Sequence, residues 1–417
     1  MTGLLMVMPY RAYLAKAKAE GFRVGAVWDP KVATEIFGGH AGEYLDDVRR
    51  LADAFWEADF ADPAGYERVL REAAAEFGAE LVYHVGQEES MGLAARVAED
   101  LGLAVNSAEA VHRLNDKVAL RRLLGEHGLS PVRYADAPDW RSARALLGGF
   151  DLPVVVKPTQ LSGSRGVVLV HDRAEFEDWG AALDETGYTG PVLVEEYLVG
   201  PEFSVETISV QGRHHVIGVT HKRLGPPPLF VEAGHAHPAP ESYDVAALGA
   251  AVVAMLDATG YRTGPAHTEL RLTPAGPRII ESQARLGGDR IPRLVELATG
   301  IDLERAVFGG LAGRSPGGRS RPDVAWIHYF SLPFGVLRSV DGLDEIRALP
   351  FVDELSFPFE PGSRVPAIVD WRTRHGFVVV SAGSHEEAAR RVTKVESLLR
   401  VDVETTRKPE GAGREER

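Results

Sequence analysis

In the segment HTELRLTPAGPRIIESQ, two glutamates flank a predicted turn. Glu269 and Glu281 each stand six residues from Ala275, the middle residue of TPAGP. If the apolar runs on either side form a β-hairpin centred there, Glu269 pairs with Glu281 and Arg271 pairs with Ile279. Directly opposed residues of an antiparallel pair point to one face, with Cβ atoms about 5 Å apart. The sequence therefore predicts two carboxylates held side by side.

Carboxylates at that distance repel each other unless one is protonated or a cation lies between them. In proteins Mg²⁺ is bound through one or two carboxylates together with phosphate oxygens of a substrate. The glutamate pair therefore indicates a site for magnesium and a phosphate group. The alternative interpretation is an exposed hairpin whose acids form ion pairs with Arg271 and Arg285.

A lysine and a glycine-containing loop lie in the segment VVVKPTQLSGSRGVVLV, between two apolar runs typical of strands. Lys157 ends the first run and supplies a fixed positive charge. The glycines of the loop Ser162–Gly166 let backbone N–H groups surround an anion. The segment lacks the GxxxxGK[ST] pattern of a P-loop, and a strand rather than a helix follows it. It predicts a phosphate-binding loop of another kind, with a hairpin and a flexible turn as the alternative.

A strand that meets acids and then a turn is predicted in the segment PVLVEEYLVGPEFSVE. Adenine needs an apolar slot with one backbone donor and one backbone acceptor, which a strand that ends and turns can provide. Glu202, after the Gly-Pro turn, could take the hydroxyls of a ribose. Taken alone, the EEY sequence is also typical of a solvated strand end.

The elements that position these residues begin with alternating strand and helix signals in the first part of the chain. Apolar runs such as LLMVMP and FRVGAVWD alternate with amphipathic segments such as AGYERVLREAAAEFG, a pattern that predicts a parallel sheet with helices on its faces. The glycine fingerprint of dinucleotide binding is absent, because Pro9 and Tyr10 follow the first strand. Further along, a helix that opens on the cap of NDK is expected to end near Gly128. Short strands, a long helix, the glutamate hairpin and a final helix, HEEAARRVTKVESLLR, then follow.

Composition excludes several classes of function. The formal net charge of −14 argues against nonspecific nucleic-acid binding, which needs a basic surface. The absence of cysteine excludes disulfides, thiolate zinc sites and cysteine nucleophiles. The positive charges near the N-terminus follow the first apolar run, the reverse of the order in a signal peptide, and no apolar stretch approaches the roughly 18 residues of a membrane span. We therefore expect a cytoplasmic protein without nucleic-acid or membrane partners.

The ordered set of motifs resembles the ATP-grasp superfamily. The resemblance is carried, in chain order, by Lys117 in NDK, Lys157 in VVVKP, the loop Ser162–Gly166, VEEYLVGPEFSVE, Glu269 and IIESQARLGGD. Within the superfamily, HTELRL, ARLGGD and THKRLGPPPLFVEAGHAHPA are most similar to the L-amino-acid ligases, which are carboxylate–amine ligases that join amino acids. The likeness covers residues from about 80 to 310, and its order and spacing are more specific than any single motif.

The resemblance implies a fold of mixed α/β and α+β class, the ATP-grasp fold. We expect a Rossmann-like N-terminal domain over residues 1–108, followed by linker helices and the ATP-grasp lid subdomain over 109–200. The catalytic core with the metal-binding hairpin is expected over 201–315 and a C-terminal α+β domain over 316–405. The polar tail 406–417 is expected to be disordered. The C-terminal domain would close one side of the site, and a homodimer through it is an open alternative.

The resemblance also implies a role for each matching residue. The residues expected to bind ATP are Lys117, Lys157, Ser162, Gly163, Ser164, Gly166, Glu195, Glu196, Tyr197, Leu198 and Glu202. Glu195 would take the adenine amino group, the backbone of Glu196 and Leu198 would complete base recognition, and Glu202 would hold the ribose. Glu269 and Glu281 would bind Mg²⁺, for which Mn²⁺ could substitute. The family pattern Glu-x-Asn is replaced here by Glu281, Ser282 and Gln283, which leaves the role of Gln283 as a third metal ligand open.

The implied reaction joins the carboxylate of one amino acid to the amine of another through an acyl phosphate, with release of ADP and phosphate. Arg285 would hold the carboxylate, beside the amides of Gly287 and Gly288. The amine must lose a proton, and the candidates for base or amine-binding residue are His267, Glu232 and Glu88. The candidate catalytic residues are therefore Arg285, Lys157, His267 and Glu232. A packed residue is the alternative for His267.

Other interpretations stay open at this point. A biotin-carboxylase-like relative would use bicarbonate or formate, and another ligase would join a carboxylate that is not an amino acid. A kinase would stop at the acyl phosphate, and a regulatory module would bind nucleotide without turnover. His235 and His237 would share a strand face and could bind a metal, but the prolines around them favour a stiffened loop that covers the substrate.

Overall fold

The computed structural model describes residues 1–86, 88–317 and 323–405, so the predicted tail lies outside the described residues. The first domain is built on a four-stranded sheet of order β3-β2-β1-β4, in which every pair is parallel, as predicted. Its strands are β1 (Gly3–Val7), β2 (Arg23–Trp28), β3 (Ala54–Glu57) and β4 (Leu81–His84). Its helices are α1 (Arg11–Ala19), α2 (Pro30–Phe37), α3 (Ala41–Leu51), α4 (Pro63–Phe77) and α5 (Glu88–Asp100).

Two helices lead from this domain to a small antiparallel sheet of order β5-β8-β6-β7. The elements are α6 (Ala108–Asn115), α7 (Lys117–Glu126), β5 (Tyr134–Ala137), α8 (Trp140–Ala143), β6 (Val154–Pro158), β7 (Val168–Val170), α9 (Arg173–Glu185) and β8 (Val192–Glu196). This unit has its own core, around Trp140, Phe176 and Trp179. The Asp116 carboxylate accepts hydrogen bonds from the N–H groups of Val118 and Ala119, which starts α7 at Lys117.

The rest of the chain forms an eight-stranded sheet and a smaller three-stranded sheet. The first elements are β9 (Glu202–Val210), β10 (Arg213–Leu224), β11 (Glu232–His237), α10 (Val245–Thr259), β12 (Gly264–Thr273), β13 (Gly276–Gln283), α11 (Ile291–Thr299) and α12 (Leu303–Leu311). They are followed by β14 (Val324–Tyr329), β15 (Gly335–Asp341), α13 (Leu343–Arg347), β16 (Val352–Ser356), β17 (Arg364–Val365), β18 (Phe377–Ala382), α14 (His385–Leu398) and β19 (Arg400–Thr405).

The large sheet has the order β13-β12-β9-β10-β11-β14-β18-β16, and the small sheet has the order β17-β15-β19. The pairing of β11 with β14 carries the large sheet across residue 316, where we placed a domain boundary. The predicted final helix is α14, but the chain continues into β19, a strand that the sequence analysis does not predict. Among the described helices, none combines the length and the apolar character needed to cross a bilayer.

The glutamate hairpin forms with Glu269 opposite Glu281, as predicted. The prediction that Arg271 pairs with Ile279 is wrong, because Thr273 pairs with Gly276 and the turn is therefore centred between Pro274 and Ala275, which places Arg271 opposite Arg278. A bulge beyond this point shifts the register by one residue and restores the predicted pair of glutamates. The extra residue of the bulge is Ile280 on β13, since Leu270 pairs with Ile279. A bulge leaves a characteristic backbone distortion but no reliable mark in the apolar pattern, so the turn segment alone could not reveal it.

One face of the large sheet is polar and the other is apolar, because cross-strand partners share a face. The polar face carries Gln283 and Glu281 on β13, His267, Glu269 and Arg271 on β12, Glu206, Ser204 and Glu202 on β9, and Lys222 on β10. The alternate residues Phe203, Val205 and Leu270 are buried in a core that includes Leu248 and Val252 of α10. This apolar packing on one side fixes which side chains stand on the other.

Candidate active site

The two hairpin glutamates are held by cations from neighbouring elements. Glu269 Oε1 lies 2.6 Å from Lys222 Nζ on β10, and Glu281 Oε2 lies 3.4 Å from Lys117 Nζ at the start of α7. The alternative in which Arg271 and Arg285 pair with these acids does not hold. Arg271 instead bonds Glu202, with Nε 3.1 Å from Oε2, and Arg285 bonds Glu88, with Nη2 2.6 Å from Oε1.

The sequence analysis missed Lys222, although its position carries a signal. It lies at the end of β10, as Lys157 lies at the end of β6, and its side chain is 3% exposed. Its Nζ also lies 3.2 Å from Glu202 Oε1 and 3.4 Å from Glu232 Oε1, so it links three carboxylates. A lysine whose side chain points to the polar face of a strand is the pattern that predicts contacts with buried carboxylates.

Both hairpin carboxylates are ionised at neutral pH. Burial alone would raise their pKa values, but Lys222 lowers the pKa of Glu269 and Lys117 lowers the pKa of Glu281. Burial lowers the pKa of His267, but Glu206, whose Oε1 lies 2.6 Å from His267 Nδ1, raises it to about 9. His267 therefore lies between the carboxylates of Glu206 and Glu269, which favour its protonated form.

A magnesium ion fits the donor set at the hairpin. Glu269, Glu281 and Gln283 stand on one face, and the Gln283 amide oxygen is buried without a hydrogen-bond partner. Its Nε2 donates to Glu281 Oε1 at 2.8 Å, which fixes the orientation of the amide. No group of three or more His, Asp or Glu side chains within the described ranges is arranged to hold a metal. A metal here would therefore depend on Gln283 or on oxygens of a bound phosphate.

The second lysine of the motif set, Lys157, is buried in an ion-pair network. Its Nζ lies 2.6 Å from Glu195 Oε2, and Arg121 of α7 bonds the other oxygen of Glu195. Burial would raise the pKa of Glu195, but Arg121 and Lys157 lower it to about 2. Both oxygens of Glu195 are thus engaged by cations, and its predicted contact with the adenine amino group stays a prediction. Burial lowers the pKa of Lys157 below its ordinary value.

Arg121 also reaches the back of the hairpin. Its Nη1 donates to the carbonyl oxygen of Ile279 and its Nη2 donates to that of Ile280 at 3.1 Å. One side chain therefore ties Glu195, next to Lys157, to the bulge that precedes Glu281. The sequence analysis missed Arg121, which lies one helical turn after Lys117 on the same side of α7.

The loop Ser162–Gly166 is folded down against its neighbours. Lys117 Nζ donates to the carbonyl oxygen of Leu161 at 3.1 Å, and Ser164 Oγ donates to that of Phe230 at 3.2 Å. Gly163 and Ser164 both adopt left-handed backbone conformations, with φ values of 66° and 60°. Both residues belong to a turn over residues 163–166.

The segment predicted to bind adenine and ribose is held by polar contacts. Glu196 Oε1 accepts a hydrogen bond from the N–H of Arg133 at 2.8 Å. The carbonyl oxygen of Leu198 accepts one from Arg271 Nη1 at 2.6 Å, and the Arg271 guanidinium lies 5.2 Å from the centre of the Tyr197 ring. Glu202 is buried between Lys222 and Arg271, so its predicted contact with a ribose also stays a prediction.

On the substrate side, the structure brings Arg285, Glu88 and the two glycines together near the hairpin. A Cβ at Gly287 would lie 2.8 Å from His267 Nδ1, so only glycine fits there. A Cβ at Gly288 would meet no atom within 4 Å, which indicates open space beside that backbone. Gly288 thus leaves room close to Arg285, where a small substrate could be held.

Asp289, which the sequence analysis missed, connects this loop to two other parts of the chain. Its carboxylate accepts from Arg374 Nη1 at 2.7 Å and lies 3.1 Å from His235 Nε2. The Arg374 guanidinium lies 3.8 Å from the centre of the Tyr329 ring and 3.6 Å from Glu232 Oε2. Arg374 comes from the C-terminal region, far along the sequence, and no local pattern marks it as a partner.

His235 and His237 do not form a metal pair. His235 faces Asp289, whereas His237 Nδ1 lies 3.0 Å from Thr220 Oγ1. Glu232, at the start of the same strand, is partly buried, with 13% of its side chain exposed. Burial raises the pKa of its carboxyl group against the opposing effect of Lys222. Burial therefore gives the carboxyl group of Glu232 a higher proton affinity than an ordinary carboxylate has.

Comparison with known families identifies two regions of the chain. A family model described as an ATP-grasp domain matches residues 150–293. A second model, described as L-amino acid ligase C-terminal domain 2, matches residues 328–404. The first match contains the glutamate hairpin, and the second contains strands β15 and β17 of the three-stranded sheet.

Similar proteins were found by sequence and by structure. An uncharacterized protein of Sinorhizobium fredii, y4rH, is 30% identical over 70% of this chain and 62% of its own length. Dapdiamide A synthase of Enterobacter agglomerans is 29% identical over 52% of this chain and 53% of its own length. The chain thus matches less than two thirds of either relative. The crystal structure of an L-amino acid ligase from Bacillus licheniformis has the same fold, with a TM-score of 0.78 and 23% identity, over 97% of this chain and 99% of that one.

Proposed function

Since the chain belongs to the ATP-grasp superfamily and carries the C-terminal domain of the L-amino acid ligases, we propose that it is an ATP-dependent carboxylate–amine ligase that joins two amino acids. The fold and the domain order support an ATP-dependent ligase. The name of the Enterobacter relative, a dapdiamide synthase, supports an amide product. The identities of the two amino acids are left open.

The observation that carries this proposal is the arrangement of Glu269 and Glu281 next to two lysines and a folded-down loop. Lys117 reaches Glu281 from the linker helix, and Lys157, from the small sheet, lies close enough for its charge to lower the pKa of Glu281. The loop Ser162–Gly166 starts beside Lys117, whose Nζ bonds the carbonyl oxygen of Leu161. Carboxylates suit a metal ion and lysines suit phosphate groups, so the two together suit a nucleoside triphosphate with its metal ion.

In this proposal Glu269, Glu281 and Gln283 hold Mg²⁺, which neutralises charge on the phosphate oxygens of ATP when it is bound. The remaining charge is matched by Lys117 and Lys157. Glu195 and Arg121 fix the position of Lys157, since a buried ion pair restricts where its ammonium group can lie. Phosphoryl transfer requires mainly such positioning and charge neutralisation.

A carboxylate is a poor electrophile because its leaving group would be oxide. When a carboxylate oxygen attacks the γ-phosphorus of ATP, ADP leaves and a mixed anhydride forms, from which phosphate can leave. In this proposal Arg285 holds that carboxylate, and the open space beside Gly288 supports this role. An amine then attacks the carbonyl carbon, and Arg285 stabilises the oxyanion that forms. The products are an amide, ADP and phosphate.

The amine must be neutral when it attacks, and we assign the proton acceptor to Glu232. Burial raises its pKa, which makes it a better base than an ordinary carboxylate. His267 is less suited because Glu206 keeps it protonated. Glu88 is less suited because Arg285 lies 2.6 Å from one of its oxygens, closer than either Lys222 or Arg374 lies to Glu232.

The test is a phosphate-release screen of the purified protein with ATP, Mg²⁺ and pairs of amino acids, followed by mass spectrometry of the products. We expect phosphate release that depends on amino acids, with one amide formed for each ADP. ADP without amide would indicate a kinase, and nucleotide binding without phosphate release would indicate a regulatory module. Stimulation by bicarbonate or formate alone would indicate a carboxylase-like or formyl-transfer reaction, and each of these results would contradict the proposal.

A further inference from the structure

A short segment of the C-terminal region, Asp370–His375, is fixed in shape by its own hydrogen bonds. The Asp370 carboxylate accepts from the N–H of Arg372 at 2.9 Å, and Thr373 Oγ1 donates to the carbonyl oxygen of Asp370 at 2.9 Å. His375 Nδ1 accepts from the N–H of Leu332 at 2.9 Å, which ties the segment to the loop after β14. The segment therefore presents its side chains from a rigid base.

One of these side chains, Trp371, lies against the loop Ser162–Gly166. A Cβ at Gly163 would lie 2.3 Å from the Cδ1 atom and 2.5 Å from the Nε1 atom of the indole. The indole therefore covers the Gly163 backbone directly, and any larger residue at that position would displace it. Trp371 is 49% exposed, so it is not part of a core, and the loop is what it covers.

A second side chain, Arg374, anchors the same segment to the polar face of the large sheet. Its guanidinium bonds Asp289 and lies on the Tyr329 ring, and its Nε donates to the carbonyl oxygen of Trp371 at 3.2 Å. The side chain of Arg374 is 7% exposed, so this anchor is buried. Arg374 thus holds the backbone of Trp371 and ties it to Asp289, which follows Gly288 in the chain.

From this geometry we propose that Trp371 is a positioning residue that holds the loop Ser162–Gly166 closed, so that the C-terminal domain takes part in closing the nucleotide site. The inference rests on the proposed function in one respect, namely that the loop covers the phosphates of ATP. A closed loop excludes water from the activated carboxylate. Loss of the indole contact therefore weakens ATP binding and lets water compete with the amine.

The test compares Trp371→Ala with Trp371→Phe, which keeps an aromatic ring over Gly163, and with Val369→Ala, a control at another exposed apolar residue nearby. For Trp371→Ala we expect the KM for ATP to rise about five- to tenfold, the change that losing an apolar contact of this size produces. We expect kcat to change by less than about twofold, and more ADP to form for each amide. Trp371→Phe should recover most of the ATP affinity, and Val369→Ala should match the wild type.

Trypsin cleavage after Arg165 reports the position of the loop without any turnover. We expect Trp371→Ala to be cut there faster than the wild type, both alone and with a non-hydrolysable ATP analogue. If the wild type forms no amide, the proposed function fails, whereas the cleavage comparison still decides the position of the loop. Equal cleavage rates together with an unchanged KM for ATP in Trp371→Ala would overturn the inference.

A double-mutant cycle tests the contact itself. Gly163→Ala is strained in any background because of the left-handed backbone, but it collides with the indole only when Trp371 is present. We expect Gly163→Ala to raise the KM for ATP by a smaller factor in the Trp371→Ala background than in the wild type. Equal factors in the two backgrounds would mean that the two residues act independently, which contradicts the proposal.

Discussion

Arg121→Met removes the side chain that joins the small sheet, the linker helix and the metal hairpin. The guanidinium is 2% exposed and bonds Glu195 as well as the carbonyl oxygens of Ile279 and Ile280. Methionine is of similar length and fills most of the space, so the change removes hydrogen bonds and charge rather than volume. In the variant, the Glu195 carboxylate keeps only Lys157 as a partner, and the carbonyl groups of Ile279 and Ile280 lose the donor that Arg121 provides.

Removing one partner of a buried ion pair costs about 3–5 kcal/mol of unfolding free energy. Lys157 still neutralises Glu195, which places the expected loss at the lower end, about 3 kcal/mol. Domains of ordinary stability unfold with about 5–15 kcal/mol, so the variant should still fold at low temperature. The bulge before Glu281 also loses its anchor, and we expect a higher Mg²⁺ concentration for half-maximal turnover.

Urea titration of the wild type, Arg121→Met and Arg122→Met gives the comparison. Arg122 is the next residue of α7 and is exposed, so its replacement should change the unfolding free energy by no more than about 0.5 kcal/mol. If Arg121→Met and Arg122→Met lose equal stability, or if the Mg²⁺ requirement of Arg121→Met is unchanged, Arg121 does not connect these elements as described.

Three further outcomes are expected. Glu281→Ala should abolish turnover while the protein stays folded. The control Glu185→Ala, at an exposed acid of α9, should keep wild-type activity. Near-normal turnover of Glu281→Ala would contradict the assignment of Glu281 as a metal ligand. Gln283→Ala should raise the Mg²⁺ concentration for half-maximal turnover about tenfold, the effect typical of losing one metal contact, and an unchanged Mg²⁺ titration would mean that the amide is not a ligand. The pKa of Glu195 is lowered to about 2, so its contribution to stability is full above its ordinary value of about 4.5 and is lost as the pH falls toward 2. Urea titrations at about pH 5 and about pH 3 should therefore show a larger acid-induced loss for the wild type than for Glu195→Gln, and equal losses would exclude that origin.

Local patterns were sufficient to predict the elements that carry the site. Counting residues from Ala275 predicted the pairing of Glu269 with Glu281, but the inner pairs of the hairpin differ by one residue from that count, and the bulge at Ile280 restores the predicted pair. The parallel sheet of the first domain followed from alternating strand and helix signals. The start of α7 at Lys117 followed from an aspartate cap. Each of these features depends on residues that are close in sequence.

The rest of the site depends on contacts between distant segments. Arg121 and Glu195 are 74 residues apart, and Arg374 and Asp289 are 85 apart, so no local pattern links either pair. The bulge at Ile280 is fixed by hydrogen bonds from another element rather than by the strand that contains it. Sequence reasoning could therefore name the acids of the site, but it could not say which cations hold them.

The most direct test of the central claim follows the oxygen atoms of the activated carboxylate. The wild-type protein would be supplied with ATP, Mg²⁺ and an accepted pair of amino acids, both labelled with ¹⁸O in their carboxylates, and the released phosphate would be analysed by mass spectrometry. If the carboxylate is phosphorylated before the amine attacks, one ¹⁸O atom moves into each phosphate formed. Amide formation with unlabelled phosphate would contradict the account.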